Sequence, residues 1–476
     1  MSGEDIGRLS LAEAARQIHD RKLSPVELTE AYLRSIERLE GKLNAFITIT
    51  ADEAMTAAET AAHEIAKGGY RGPLEGIPIG LKDIFAVRGV RMTAASKILA
   101  DNVADEDAEV TLRLRAVGAI ILGKLNLHEF AFGATGVNPH YGPARNPWDI
   151  ERITGGSSSG SGAAVASGEC PAALGTDTGG SIRIPASLCG IVGLKPTYGR
   201  VSKRGVVPLS WSLDHVGPMA RTVADAAIVL QAIAGHDQAD PSSADEQMPE
   251  YAQSLDGNVR GLRIGIPKQF FFENVDPEVE AAVRSAVRLL GEMGAEIRDI
   301  DVPLIDEIPG ALTVIMLPEA LAYHQKWLRE RPDDYGTDVR YRLELGATYM
   351  AIHYVQAHRL REMAVDAWRR EVFSHVDLIA TPTTPITAPL IDPGDVSTPS
   401  GAGLQTTFSL IRFTNPFNFL GVPAISLPCG ADRQGLPTGL QLVGRWWDEA
   451  TVLRAAHTYE QATEWHKRQP PDFAQL

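Results

Sequence analysis

Gly155-Gly156-Ser157-Ser158-Ser159-Gly160-Ser161-Gly162, with Gly175-Thr176-Asp177-Thr178-Gly179-Gly180-Ser181-Ile182-Arg183 after it, is the stretch on which the reading of this chain turns. A phosphate cradle of the form G-x-x-x-x-G-K-[ST] fails, because Gly160 is followed by Ser161 and not by lysine. G-x-G-x-x-G fails too, since Gly160-x-Gly162 meets Val165 at its last position. Gly156 to Gly160 does satisfy the G-x-S-x-G elbow, with Ser158 central. An elbow needs a later acid and histidine. His215, His324, His353 and His358 follow, in no distinctive pattern. Glycine and serine alone would also suit a flexible linker. This run instead leads straight into an apolar helix opening at Ala163 and sits between strand-like segments.

Outward from this stretch, helical and strand-like pieces alternate. The first seventy residues read as helical. Ser10 caps a helix through Leu11, Ala15 and Ile18, and Ser24-Pro25 sets a cap and a first-turn proline ahead of Val26, Leu28, Ala31 and Ile36. Ala54 to Ala66 continues that layer. Pro73 to Asp83 is a strand-and-turn pattern, Val110 to Val117 is helical, and Ala119 to Leu122 is a short buried strand. Thr222 caps a helix through Val223 and Leu230. Leu262 to Ile266 reads as a strand, Glu278 to Met293 as a helix, Glu296 to Ile300 as a strand, and Leu304 to Val376 as mostly helical. Strands return at Leu378 to Ala380, Ala424 to Leu427 and Leu440 to Val443, before a closing helix from Glu449 to Trp465.

Such alternation predicts an α/β fold, a sheet covered by helices on both faces. The Pro/Gly/Ser/Thr-rich stretch from Thr381 to Thr406 predicts a long surface loop, not a boundary between domains. One domain over 1–476 is therefore expected. It comprises a helical layer about 1–70, a core about 71–235, and a C-terminal part about 236–476 that completes the sheet and the substrate pocket.

The formal net charge is −15, which repels a nucleic-acid backbone. No basic cluster stands out along the chain, so no nucleic-acid partner is expected. The three cysteines, Cys170, Cys189 and Cys429, are widely spaced and form no C-x-x-C pair. Neither a disulfide framework nor a zinc site is expected, and reduced thiols suit a cytoplasmic protein. The acidic start, Met1 to Asp5, has no apolar stretch behind it, so no signal peptide is expected. No window approaches eighteen apolar residues, so no membrane span is expected. His128-Glu129-Phe130-Ala131-Phe132 lacks the second histidine of H-E-x-x-H. No ligand cluster appears, so neither a metal nor an organic cofactor is expected.

Residues Gly155 to Ala166, Gly175 to Ala186, and Gly190-Ile191-Val192-Gly193-Leu194-Lys195-Pro196-Thr197 together resemble the amidase signature family. The similarity runs from about Gly72 to Gly235. Weaker echoes follow at Pro423 to Gly430 and Gly435 to Gln441. The resemblance implies a large twisted mixed β-sheet core surrounded by helices. It also implies a Ser–Ser–Lys triad acting on an amide: Ser181 as nucleophile, Ser157 as relay after a cis peptide bond, and Lys82 in Gly80-Leu81-Lys82-Asp83 as base. A homodimer is a further expectation from the family.

These residue types suit the reaction. An amide carbonyl is a poor electrophile, so the nucleophile must be activated and the oxyanion stabilised. A lysine serves as base only when neutral, and burial among Ile77, Ile79, Leu81, Ile84 and Phe85 would favour that form. Thr178-Gly179-Gly180 offers backbone N–H groups for an oxyanion hole, two of them without β-carbons to obstruct approach. Asp177 and Arg183 read as a structural ion pair, and Asp83 as similar. The resemblance sets Phe132 and Gly133 near the substrate, with ordinary packing as the alternative.

Two branches of the family lie near: stand-alone bacterial amidases and the glutamine-hydrolysing component of the glutamyl-tRNA amidotransferase. In that component, an arginine holds the glutamine carboxylate; Ala357-His358-Arg359-Leu360-Arg361 offers Arg361 for the role. The position of its aspartate, which would grip an α-ammonium, falls here at about Ile411. Phe413, Phe417 and Phe419 make this stretch aromatic. The expected pocket is one for a less polar acyl or aryl group, in an amide, anilide, carbamate or ester.

Overall fold

Two reciprocal capping boxes open the chain's helical layer. Ser10 accepts from the Glu13 N–H while the Glu13 carboxylate accepts from the Ser10 N–H, and Ser24 and Glu27 repeat the arrangement. They start α1 (Leu11–His19) and α2 (Pro25–Leu43), and Pro25 fills the first helical position, where no N–H is needed. The computed structural model describes residues 6–392 and 402–471. Next come β1 (Phe46–Ile49), α3 (Ala51–Ala66), β2 (Pro78–Lys82), α4 (Glu109–Ala116) and β3 (Ile120–Leu125). A small ribbon, β4 (Arg145–Asn146) and β5 (Asp149–Ile153), precedes α5 (Ser159–Ser167), β6 (Ala172–Asp177), α6 (Arg183–Cys189), β7 (Val192–Lys195), β8 (His215–Ala220) and α7 (Val223–Ile233). The C-terminal part adds β9 (Arg263–Pro267), α8 (Pro277–Glu292), β10 (Glu296–Ile300), α9 (Ile308–Glu330), α10 (Thr337–Gly346), α11 (Ala351–Ala367) and β11 (Leu378–Pro382). It closes with α12 (Ala402–Ile411), α13 (Asn415–Leu420), β12 (Ala424–Ala431), β13 (Pro437–Gly444) and α14 (Glu449–Gln461).

Eleven strands form one mixed sheet in the order β1-β3-β2-β6-β8-β7-β12-β13-β11-β9-β10. β3, β2 and β6 run parallel, as do β11, β9 and β10, while the strands between are antiparallel. β2 is sandwiched between β3 and β6 and buried along its whole length. The main core packs Leu81, Ile79, Leu122, Leu174 and Val165 against the helical layer. A second core gathers Phe271, Trp368, Phe413, Phe417 and Phe419. The α/β architecture is the one expected.

Four details differ from the sequence reading. First, β1 interrupts the helical layer. Second, β6, β7 and β8 were not anticipated: Ala172 to Asp177 and Val192 to Lys195 are buried on both faces, so they carry no alternation, and their glycines and alanines are weak strand signals. Third, Thr381 to Thr406 is not one surface loop. Thr381 and Pro382 end β11, and Thr381, Thr383 and Thr384 are buried. Their hydroxyls bond inside the protein, Thr383 to Ser426 at 2.8 Å and Thr384 to Ser187 at 3.1 Å. The stretch ends in α12; 393–401 lie outside the described residues. Fourth, basic residues scattered along the chain do converge on one cleft.

Candidate active site

Parallel strands deliver their carboxyl ends to one place, and a crevice there is where an α/β sheet builds its site. Lys82 is the last residue of β2, and Thr176 and Asp177 are the last two of β6. Alternation along β6 sends these two side chains to opposite faces. Thr176 meets Lys82, with Nζ and Oγ1 2.9 Å apart. Asp177 meets Arg183.

Lys82 is fully buried, and its Nζ lies 2.7 Å from Ser157 Oγ. Burial pushes its pKa down to about 7, while the Asp214 and Asp177 carboxylates pull it partly back. Ser157 follows a cis peptide bond from Gly156. Its turn is held from several sides. The His128 N–H donates to the Ser157 carbonyl at 3.1 Å, the Gly156 N–H to Ala134 O at 2.7 Å, and the Ser158 N–H to Ser181 O at 3.3 Å. The last bond ties the serine run directly to the second turn. Gly160 lets α5 press on the chain behind it, because a β-carbon there would collide with the Ala45 carbonyl.

Ser181 is 9% exposed, and its Oγ makes no hydrogen bond among the described residues. The N–H groups of Gly179, Gly180 and Ser181 likewise meet no protein acceptor there. Three consecutive unpaired donors beside a free hydroxyl are suited to receiving a negatively charged oxygen. Thr414 shapes this turn by donating from Oγ1 to the Gly179 carbonyl at 2.6 Å. Gly180 has φ 140°, and a β-carbon there would strike Thr414. Thr178 turns its hydroxyl away to donate to Asp214 Oδ1 at 2.6 Å. Asp214 also accepts from the N–H groups of Leu209 and Ser210.

Beneath the turn lies a buried polar network. Arg183 donates to both Asp177 oxygens, at 2.9 and 3.0 Å, to Gln441 at 2.7 Å and to Asn418 at 2.6 Å. Burial opposes ionisation of Asp177, but Arg183 overrides it and holds the carboxyl well below the usual range. Asp177 also accepts from the Ile182 N–H at 3.1 Å, fixing the start of α6. Asp83 forms a separate buried pair with Lys124 at 2.8 Å. Both acids thus sit in buried ion pairs.

The elbow alternative has no support in this geometry. Ser158 is fully buried and its Oγ faces the Thr176 carbonyl at 3.3 Å. His215 Nδ1 lies 2.7 Å from Leu213 O, and His324 pairs with the Tyr335 hydroxyl.

The remaining named residues sit less directly. Phe132 is 2% exposed, with the Arg342 guanidinium over its ring and bonded to its carbonyl. Gly133 packs on the His128 ring and borders the Gly156 turn. Arg361 commits Nε to Phe419 O at 2.6 Å and Nη1 to Ser212 O at 3.0 Å. Ile411, at the end of α12, joins an apolar group with Ala134, Val137, Ile184 and Ile386 beside the Gly155–Gly156 turn. Phe413, Phe417 and Phe419 are fully buried in the second core, with Phe271 and Trp368. Sequence reasoning missed Thr176, Asp214 and Thr414. Only Thr176 carried a signal, its place inside the quoted Gly175–Arg183 stretch.

Among the described residues, no group of His, Cys, Asp and Glu could hold a metal ion, and no helix is long and apolar enough to cross a membrane.

The family model described as amidase matches residues 27–453. The A component of the glutamyl-tRNA(Gln) amidotransferase of Roseiflexus sp. (strain RS-1) is 44% identical, covering 97% of this chain and 98% of its own. An amidase of Pseudomonas putida is also 44% identical, with the same two coverages. Among solved structures, the peptide amidase PAM bound to the competitive inhibitor chymostatin superposes with a TM-score of 0.86 at 31% identity, covering 97% of this chain and 99% of that one. With a family match of this length around such a site, the chain belongs to the amidase signature family and is an enzyme that hydrolyses amide C–N bonds.

Proposed function

We propose that this chain acts alone, as an amidase for a small amide with an apolar acyl group, through Ser181, Ser157 and Lys82. The observation that carries this reading is the buried Lys82 Nζ at 2.7 Å from Ser157 Oγ, one backbone hydrogen bond from the Ser181 turn. A neutral Lys82 donates to Thr176 and accepts a proton from Ser157, which takes one from Ser181. The Ser181 oxygen attacks the carbonyl, and the N–H groups of the Thr178-Gly179-Gly180-Ser181 turn hold the oxyanion. The proton returns through Ser157 to the leaving amine, and water then releases the acid from Ser181. Ile411 supports an apolar acyl group, because a carboxylate that would bind an α-ammonium is absent there.

A second reading is the glutamine-hydrolysing component of a tRNA-dependent amidotransferase, favoured by the Roseiflexus relative. A catalytically silent scaffold has no use for three such residues together. The test is a hydrolysis screen of the purified chain over aliphatic and aryl amides, anilides, carbamates, esters and glutamine. Turnover of a non-glutamine amide by the chain alone is expected. Turnover of glutamine only, or only with added partner chains, would transfer the assignment to the second reading.

The pH profile follows from Lys82. Its neutral form is the active one, so kcat/KM should rise about tenfold per pH unit on the acid side and level off above about 7. A maximum below neutrality would contradict a neutral lysine base. Asp214→Asn tests the support of the turn. The Asp214 charge raises the Lys82 pKa, so its removal should move the acid limb to lower pH. Loosening of Thr178 should cost kcat roughly ten- to a hundredfold. An unmoved profile at full kcat would deny Asp214 both effects. EDTA should leave activity unchanged, measured after exhaustive dialysis.

A further inference from the structure

A cleft of about 900 Å³ opens behind the catalytic turns. Its lining includes Gly168, at the far end of α5, and Gly190, at the far end of α6. Both helices begin at the catalytic turns. At 1.5 Å per residue they carry the chain about 10–13 Å away, and no lining residue belongs to the site above.

The lining is cationic, in a chain whose net charge is −15. Arg8 and Arg16 come from the N-terminal segment and α1, and Arg34 and Arg38 from the outer face of α2. Arg221, just past β8, and Lys467 and Arg468, after α14, close the ring. Glu13 is the one acid in the lining, and its carboxylate is occupied by the Ser10 cap. Some of the cations have local duties. Arg221 binds the carbonyls of Gly7 and Leu9, Arg34 has Glu30 at 3.4 Å, and Lys467 pairs with Glu464. Arg468 lies over the Trp148 ring at 4.9 Å, which holds its guanidinium plane in place. Arg16 is exposed, and its guanidinium makes no hydrogen bond or ion pair among the described residues. His466 Nδ1 is shut from solvent and has no hydrogen-bond partner among the described residues.

Seven cations around one cleft set up a positive local potential, which a bound anion would lower. We propose that this cleft is a binding site for a small multivalent anion, a ligand carrying two or more phosphate or carboxylate groups. Guanidinium groups grip both by paired N–H···O bonds. The volume suits a ligand of nucleotide size or smaller.

The experiment titrates the full chain with inorganic pyrophosphate, and separately with citrate, by calorimetry and thermal shift at low salt. Saturable one-to-one binding of either, weakening as salt rises, is expected. Binding of pyrophosphate alone would assign phosphate, and binding of citrate alone carboxylate. In the double variant Arg16→Glu, Arg34→Glu the affinity should fall at least tenfold, while amide hydrolysis stays at the level of the unaltered chain. Both positions are exposed, so the fold should survive, and a thermal-shift control without ligand checks this. Binding of neither anion would overturn the proposal. So would equal affinity in the folded variant, or binding of poly-glutamate with no binding of the two small anions.

Discussion

Ser181→Ala should lower kcat by about four orders of magnitude or more while leaving the thermal midpoint within a few degrees of the unaltered chain. The Ser181 hydroxyl oxygen is the only heavy atom removed. It makes no hydrogen bond among the described residues, so its loss leaves no buried partner stranded. What survives is the turn of N–H donors and the binding of the substrate, which can polarise the amide but cannot form the acyl-enzyme. KM should change far less than kcat, because the ground state does not depend on the missing bond. A variant that retains even a tenth of the activity would remove Ser181 from the mechanism.

Lys82→Met should have the second-largest effect, and of an unusual kind: activity lost by about three orders of magnitude or more, with stability at pH 7 equal or higher. The sign follows from linkage. Burial lowers the pKa from the ordinary 10.5 to about 7, so the unfolded chain binds this proton more tightly than the folded one. Folding therefore carries a cost from Lys82 of about 4 kcal/mol at pH 7, which fades as pH rises from about 7 towards 10.5. Methionine has a similar reach and no charge to desolvate. Against this gain stands the loss of a partner for the Ser157 and Thr176 hydroxyls, about 1–3 kcal/mol. Methionine's advantage should shrink as pH rises from 7 and reverse by about pH 10, which thermal melts across pH 6 to 10 would reveal. A variant markedly less stable at pH 7 would mean that Lys82 is a structural cation, and would weaken its assignment as a base.

Local signals in the sequence reached only part of this. The capping boxes at Ser10 and Ser24 are four-residue patterns and could be read directly. β6 and β7 could not, because strands buried on both faces lose the alternation that marks a strand. The closeness of Lys82 and Ser157 spans 75 residues of sequence and joins different elements, so it was accessible only through resemblance to a family. Thr414 reaches Gly179 across 235 residues with no motif of its own, and Asp214 reaches Thr178 across 36. Phe413, Phe417 and Phe419 face the second core, and composition alone cannot tell a ring facing a pocket from one facing a core. The basic cleft was invisible for the complementary reason. Its cations come from segments at both ends of the chain and from the end of β8, and only the fold adds them up.

Intact-protein mass spectrometry with peptide mapping, on the chain quenched during turnover of an amide identified in the screen, tests the central claim most directly. The result expected is an acyl adduct on the peptide carrying Ser181, in a quantity that depends on pH as the rate does, and absent from Ser181→Ala. An adduct on Ser157, Ser158 or a cysteine, or steady turnover with no acyl-enzyme at any quench time, would contradict it.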